Sequence, residues 1–115
     1  MTARLISVGN VIIDLMIEVP ALPARGGDVL GHSRGSTPGG SFNAMAAARR
    51  QGLATAYAGA HGTGPFGDLA RAALAVEGIE VLQPATADLD TGYDLALTDG
   101  DGERTFVTVF GAEAT

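Results

Sequence analysis

Between Arg4 and Leu82 short apolar runs alternate with alanine-rich stretches, and that alternation restricts the fold more than any other feature of the sequence. Arg4-Leu5-Ile6-Ser7-Val8 is a short apolar run that ends at Gly9-Asn10, the pattern of a buried strand. Phe42 to Gln51 is rich in alanine and predicts a helix. Arg49 and Arg50 in its last turn suit the negative end of the helix dipole, and Gly52 fits a C-terminal cap. Ala54 to Ala60 predicts a second strand, followed by a loop over His61 to Gly67. Asp68 to Glu77 predicts a second helix, with Asp68 in its first turn and Gly78 just past its end. Ile79 to Leu82 predicts a third strand. Strands separated by helices imply a parallel sheet with covering helices.

Two segments break this rhythm. Val11 to Val19 continues with β-branched residues around an embedded Asp14, until Pro20 and Pro23 end regular structure. Gly26-Gly27 marks a turn, and Asp28 to Arg34 predicts a returning strand, so that the pair forms a hairpin-like flap outside the main sheet. Near the end, Tyr93 to Thr98 and Thr105 to Phe110 predict two strands joined through Asp99-Gly100-Asp101-Gly102. Asp-Gly pairs are strong hairpin turns. This is a second excursion from the core. The expected fold class is α/β, with a parallel core sheet, flanking helices and a small β-lid. Residues 1–115 read as one unit, with lid strands over about 15–36 and 93–110.

Several functional classes are disfavoured. The chain has 115 residues, 46% apolar and 17% charged, which is a globular composition and not a disordered one. The apolar runs are too short for a membrane-spanning helix, so no membrane partner is expected. Asn10 and Asp14 interrupt the apolar stretch behind the N-terminus, so no signal peptide is read, and a cytoplasmic location is expected. With no cysteine there is neither a disulfide framework nor a thiolate metal site. Net charge is −6, the seven Arg are scattered and there is no Lys, which argues against nucleic acid as a partner. His61 reads as a loop residue, and the two His and the scattered acids show no metal-ligand spacing.

Pro38-Gly39-Gly40-Ser41-Phe42-Asn43 is the segment with most chemical content. Adjacent glycines let a ligand approach the backbone closely, and the helix start behind them presents unpaired N–H donors. Asn43 offers both a donor and an acceptor. The combination suits a polyhydroxyl ligand, and it also suits a phosphate. The same residues could equally form a plain loop in which Ser41 or Asn43 caps a helix.

The wider pattern resembles the ribokinase/PfkB family of carbohydrate kinases. Gly39-Gly40, Asn43 three residues later, small residues and then Gly52 look like that family's first motif. Val8-Gly9-Asn10-Val11-Ile12-Ile13-Asp14 looks like its first strand, with the sugar-binding Asp at Asp14. Gly62-Thr63-Gly64-Pro65-Phe66-Gly67 resembles its loop before the second helix. Thr91-Gly92, the Asp-Gly turn and Gly111-Ala112 resemble its later lid strands. The resemblance implies that Asp14 accepts hydrogen bonds from two neighbouring sugar hydroxyls, a carboxylate being a strong charge-assisted acceptor. It implies that Gly39 and Gly40 give backbone contacts, that Asn43 bonds a further hydroxyl, and that Phe106 or Thr108 faces the sugar from the lid. ATP and Mg2+, with a monovalent cation, are the cofactors implied for a full-length parent. A sugar or nucleoside is the implied substrate, and a homodimer through the β-lid the implied assembly.

Some positions depart from the pattern. Ile12 stands where several members have Asn, the turn is one residue shorter than in ribokinases proper, and Thr63 and Gly64 replace paired acids. The family's later Gly-x-Gly-Asp segment, which brings the catalytic base and the nucleotide site, does not occur. The chain therefore reads as the sugar-binding part and lid without catalytic residues, inactive as a kinase on its own, whether as a truncated product, a proteolytic remnant or part of a longer enzyme. Two alternatives remain open. Gly62-x-Gly64-x-x-Gly67 matches the dinucleotide fingerprint and opens a helix, though Pro65 and Phe66 crowd it and only Asp88 lies near the distance of the expected acid. The lid strands could also serve a non-catalytic dimerisation domain.

Overall fold

The computed structural model describes residues 3–115. In chain order its elements are β1 (Arg4–Ser7), β2 (Ile13–Glu18), β3 (His32–Pro38), α1 (Phe42–Arg50), β4 (Ala54–Tyr57), α2 (Pro65–Val76), β5 (Glu80–Val81), β6 (Tyr93–Thr98) and β7 (Arg104–Val109). A short 3-10 turn over Ala112–Ala114 follows.

β1, β4 and β5 form a parallel sheet in the order β1-β4-β5, with Leu5 opposite Thr55 and Tyr57 opposite Val81. α1 and α2 supply the crossovers that parallel pairing requires. Their apolar stripes meet the sheet in one core of Val11, Ile13, Phe42, Met45, Ala46, Tyr57, Ala70, Leu74 and Ile79. Tyr57 anchors this core at its polar end. Its hydroxyl accepts from the Val11 N–H at 3.2 Å and donates to the Ala60 carbonyl at 2.9 Å. Burial pushes its pKa above the ordinary phenol value. The helices cover one face only. Leu5 packs towards the core, whereas Ile6 points the other way and is 47% exposed; Val8 is 82% exposed.

The two excursions are not separate flaps. β3-β2-β6-β7 is a single four-stranded sheet, in which β2 pairs antiparallel with β3 and parallel with β6. β6 and β7 form the hairpin expected from the Asp-Gly turn. Asp99 closes it by accepting from the Asp101 and Glu103 amides at 2.9 and 3.1 Å. β3 begins at His32, later than the expected Asp28, and runs through to Pro38, a region whose composition reads as loop. The reason is position: β3 is an edge strand and Pro38 is its last residue, so the missing N–H breaks no ladder. One extra residue of β3 is accommodated between the Leu15 and Ile17 pairings, and Arg34 beside it reaches Glu18 at 2.8 Å.

α2 starts at Pro65, three residues before the expected Asp68. Proline at the first helical position loses nothing, because that N–H has no intrahelical partner. β4 stops at Tyr57, short of the expected Ala60, because the Ala60 carbonyl turns back to the Tyr57 hydroxyl.

Candidate functional site

Alternation along β2 puts Ile13, Leu15 and Ile17 on one side of the four-stranded sheet and Asp14, Met16 and Glu18 on the other. Register then assembles a polar row across all four strands. Thr37 of β3 lies opposite Asp14, Asp14 opposite Asp94 of β6, and Asp94 opposite Thr108 of β7. The next row on this face is Met16, Ala96 and Phe106. Phe106 and Thr108 therefore share the face, with Thr108 level with the two acids and Phe106 one row away, 50% exposed and under the Arg104 guanidinium.

The glycine turn meets this row at Asp14. Gly39 is buried directly against the Asp14 carboxylate: a Cβ added there would lie 2.6 Å from Oδ2 and 2.9 Å from Cγ. Gly40 has φ +63° and no room on its other side, where the Asn10 carbonyl and its Oδ1 lie. The Asn10 carbonyl accepts from both the N–H and the Oγ of Ser41 at 2.8 Å, which ties the turn to the end of β1. The Gly39 N–H donates to the Ile12 carbonyl at 2.7 Å, which leaves the Gly40 N–H as the donor of this turn without an acceptor among the described residues. Ser41 is the N-cap of α1 without a side-chain cap bond, and Asn43 stands exposed in the first turn.

Asp94 was not singled out by the sequence reading, yet it is the most constrained polar group on this face. It is 6% exposed, and its Oδ1 has no hydrogen-bond partner among the described residues. Burial, and after it the neighbouring Asp14 carboxyl and its charge, together push its carboxyl up from the ordinary 3.8 to about 6, with Arg104 opposing them. The signal was present in the sequence. Ile13-Asp14-Leu15 and Tyr93-Asp94-Leu95 place an acid at the same step of two apolar strands. Asn10 lies against the same turn, with its side-chain Oδ1 and its carbonyl beside Gly40.

The glycine-rich loop before α2 does different work. Asp90 accepts from the Phe66 and Gly67 amides at 3.1 and 2.7 Å, and from its neighbour Thr91 at 2.7 Å. The start of α2, where a pyrophosphate would be held, is thus occupied by a carboxylate of the chain itself. His61 is buried. Its Nε2 donates to the Gln83 carbonyl at 2.7 Å, leaving Nδ1 to accept from Arg71 at 2.9 Å. That ring is fixed in place, consistent with a structural loop residue.

A helix-covered parallel sheet joined to a second sheet with this strand order is a ribokinase-like fold. The chain superposes on ribokinase from Giardia lamblia with a TM-score of 0.82 at 27% identity, over 97% of this chain and 34% of that one. Ribokinase from Cryptococcus neoformans, solved in complex with ADP, gives a TM-score of 0.78 at 25% identity, over 97% and 35% of the two chains. Within that class the sequence is specific: the model of the pfkB family carbohydrate kinases matches residues 2–115, and the chain belongs to that family. A sugar kinase of Escherichia coli, YegV, itself described as uncharacterized, is 36% identical over 107 residues, covering 92% of this chain and 33% of that protein. The chain spans about a third of the length of each of these relatives.

Proposed function

We propose that this chain carries the acceptor-binding part and lid of a kinase that transfers phosphate from ATP to a hydroxyl of a sugar or nucleoside. The observation that carries the reading is the seat of Asp14. Its carboxylate rests on Gly39, at the centre of a polar row with Thr37, Asp94 and Thr108, on one face of the outer sheet. A carboxylate only accepts hydrogen bonds when ionised, so it orients hydroxyls that donate. Gly39 keeps the approach open, the Gly40 N–H can give one bond to a sugar oxygen, and Asn43 is exposed at the adjacent helix start. Phe106 and Thr108 would close over the bound sugar from β7.

ATP with Mg2+ would supply the transferable phosphate, and phosphoryl transfer depends mainly on positioning and charge neutralisation around it. The residues of this chain do not fit the nucleotide. The helix start behind Gly62 and Gly64 is filled by Asp90, which disfavours the dinucleotide-binding alternative. The nucleotide, its metal, a monovalent cation and the catalytic base are therefore assigned to the remainder of a longer protein, and the 115-residue chain is expected to be inactive alone. A cytoplasmic enzyme, dimeric through the outer sheet, completes the proposal; no helix among the described residues is long and apolar enough to cross a membrane.

The test is a thermal-shift and phosphorylation screen of the full-length protein against sugars and nucleosides, with and without Mg-ATP. A specific shift lost in Asp14→Ala supports the site. A shift that survives Asp14→Ala moves the ligand elsewhere, and phosphorylation by a preparation of verified 115-residue mass overturns the division of labour.

A further inference from the structure

Apart from the neighbouring Asp14 carboxyl, which is itself an acid, Asp94 has no side-chain partner among the described residues that would account for it. It is nine-tenths buried, and among the described residues no ion pair involves it. Its Oδ1 is without a hydrogen bond, although a buried carboxyl oxygen left unpaired is costly. The groups facing it are known from register: Asp14 on β2, Thr108 on β7, Thr37 one strand further on β3, with Arg104 at the far end of β7. An apolar residue would fill the same place in an otherwise apolar strand at less cost.

We propose that Asp94 is a specificity-determining residue of the acceptor site: with Asp14 it forms a two-carboxyl clamp that takes an uncharged polyhydroxyl acceptor and rejects acceptors carrying a carboxylate or phosphate on that side. The inference rests on the sugar-kinase reading above and names its substrate class. Ionised carboxylates offer acceptors only, so the complementary ligand is rich in donors. Asp14 takes a pair of hydroxyls, and the buried, unpaired Oδ1 of Asp94 supplies the acceptor for a third. An anionic substituent at that place would put a third negative charge beside two that are already crowded and poorly solvated. A deoxy analogue would leave Oδ1 as unpaired as it is without ligand.

The experiment compares the full-length protein with Asp94→Asn and Asp94→Ser. The acceptors are neutral pentoses and hexoses, their deoxy analogues and the matching sugar acids. Two readouts are taken, kcat/KM with Mg-ATP and calorimetric affinity without nucleotide. The wild type is expected to prefer neutral sugars to the matching acids. Asp94→Asn should lower that preference at least about tenfold, while keeping an equal or higher Tm. Asp94→Ser serves the same comparison should the Asn variant fail to fold. Wild-type phosphorylation of neutral sugars, with acceptor ratios unchanged in both variants, overturns this inference and leaves the kinase reading standing. A wild type that neither binds nor phosphorylates any sugar overturns the kinase reading, and this inference falls with it.

Discussion

Gly39→Ala isolates the contact on which the proposed acceptor site depends. The added methyl would lie 2.6 Å from Oδ2, 2.8 Å from Oδ1 and 2.9 Å from Cγ of Asp14. Ordinary carbon contacts begin at about 3.5 Å, so the overlap is roughly 0.6 to 0.9 Å with the three atoms of the carboxylate. No left-handed backbone is required at Gly39, unlike Gly40, so the substitution acts through this overlap alone. Overpacking of that kind costs about 1–3 kcal/mol, and the low end applies because Asp14 can turn about χ1. Turning costs the site its geometry. Acceptor affinity should therefore fall at least about tenfold, equivalent to about 1.4 kcal/mol, with Tm only modestly lowered. Calorimetric titration of the full-length protein measures the first effect, and denaturant unfolding the second. The double variant Asp14→Ala/Gly39→Ala sharpens the argument: removing the carboxylate should restore the stability lost to the methyl without restoring binding. Unchanged affinity in Gly39→Ala, or stability losses in the double variant that simply add, would refute the reasoning.

Three further outcomes follow from the same geometry. Asp94 has its pKa raised in the fold, from 3.8 to about 6, so the folded state takes up its proton first as pH falls. Acidification from pH 7 towards 4 should remove a penalty of up to about 3 kcal/mol from this group, and urea unfolding against pH should show that gain in the wild type but not in Asp94→Asn. Asp90→Ala leaves the Phe66, Gly67 and Thr91 amides without their acceptor and should destabilise by about 1–3 kcal/mol, with hydrogen exchange fastest at the start of α2. Tyr57→Phe deletes the bonds to Val11 and Ala60 and should cost about 1–2 kcal/mol in chemical unfolding, without altering acceptor selectivity.

Local chemistry was legible where it was self-contained. β6 spans Tyr93–Thr98 as its apolar run indicates, and the Asp-Gly turn places the hairpin correctly. α1 begins at Phe42 and ends one residue short of Gln51, with Gly52 just past its cap. What composition hid was context. Ser36-Thr37-Pro38 reads as loop, and only an edge position makes it a strand. The union of the two excursions in one sheet depends on β2 meeting β6, for which a single sequence has no local signal. Asp14 stood out because a motif surrounds it. Asp94, bound to it only through that distant pairing, did not. The acid that answers the glycine-rich loop is Asp90, holding backbone amides of the helix start, whereas sequence spacing pointed to Asp88.

The pairing of β2 with β6 also sets an order of events. Ile13 meets Tyr93 across eighty residues of chain, whereas β1 meets β4 across fifty and β4 meets β5 across twenty-four. Contacts between distant segments form late because loop closure must precede them. During synthesis the helix-covered sheet can assemble while Asp14 still waits for its partner strand. Chains interrupted before β6 would expose an unpaired β2 edge, a surface prone to intermolecular pairing. The proposed acceptor site would thus be completed late, because Asp14 and Asp94 meet only once β6 is in place.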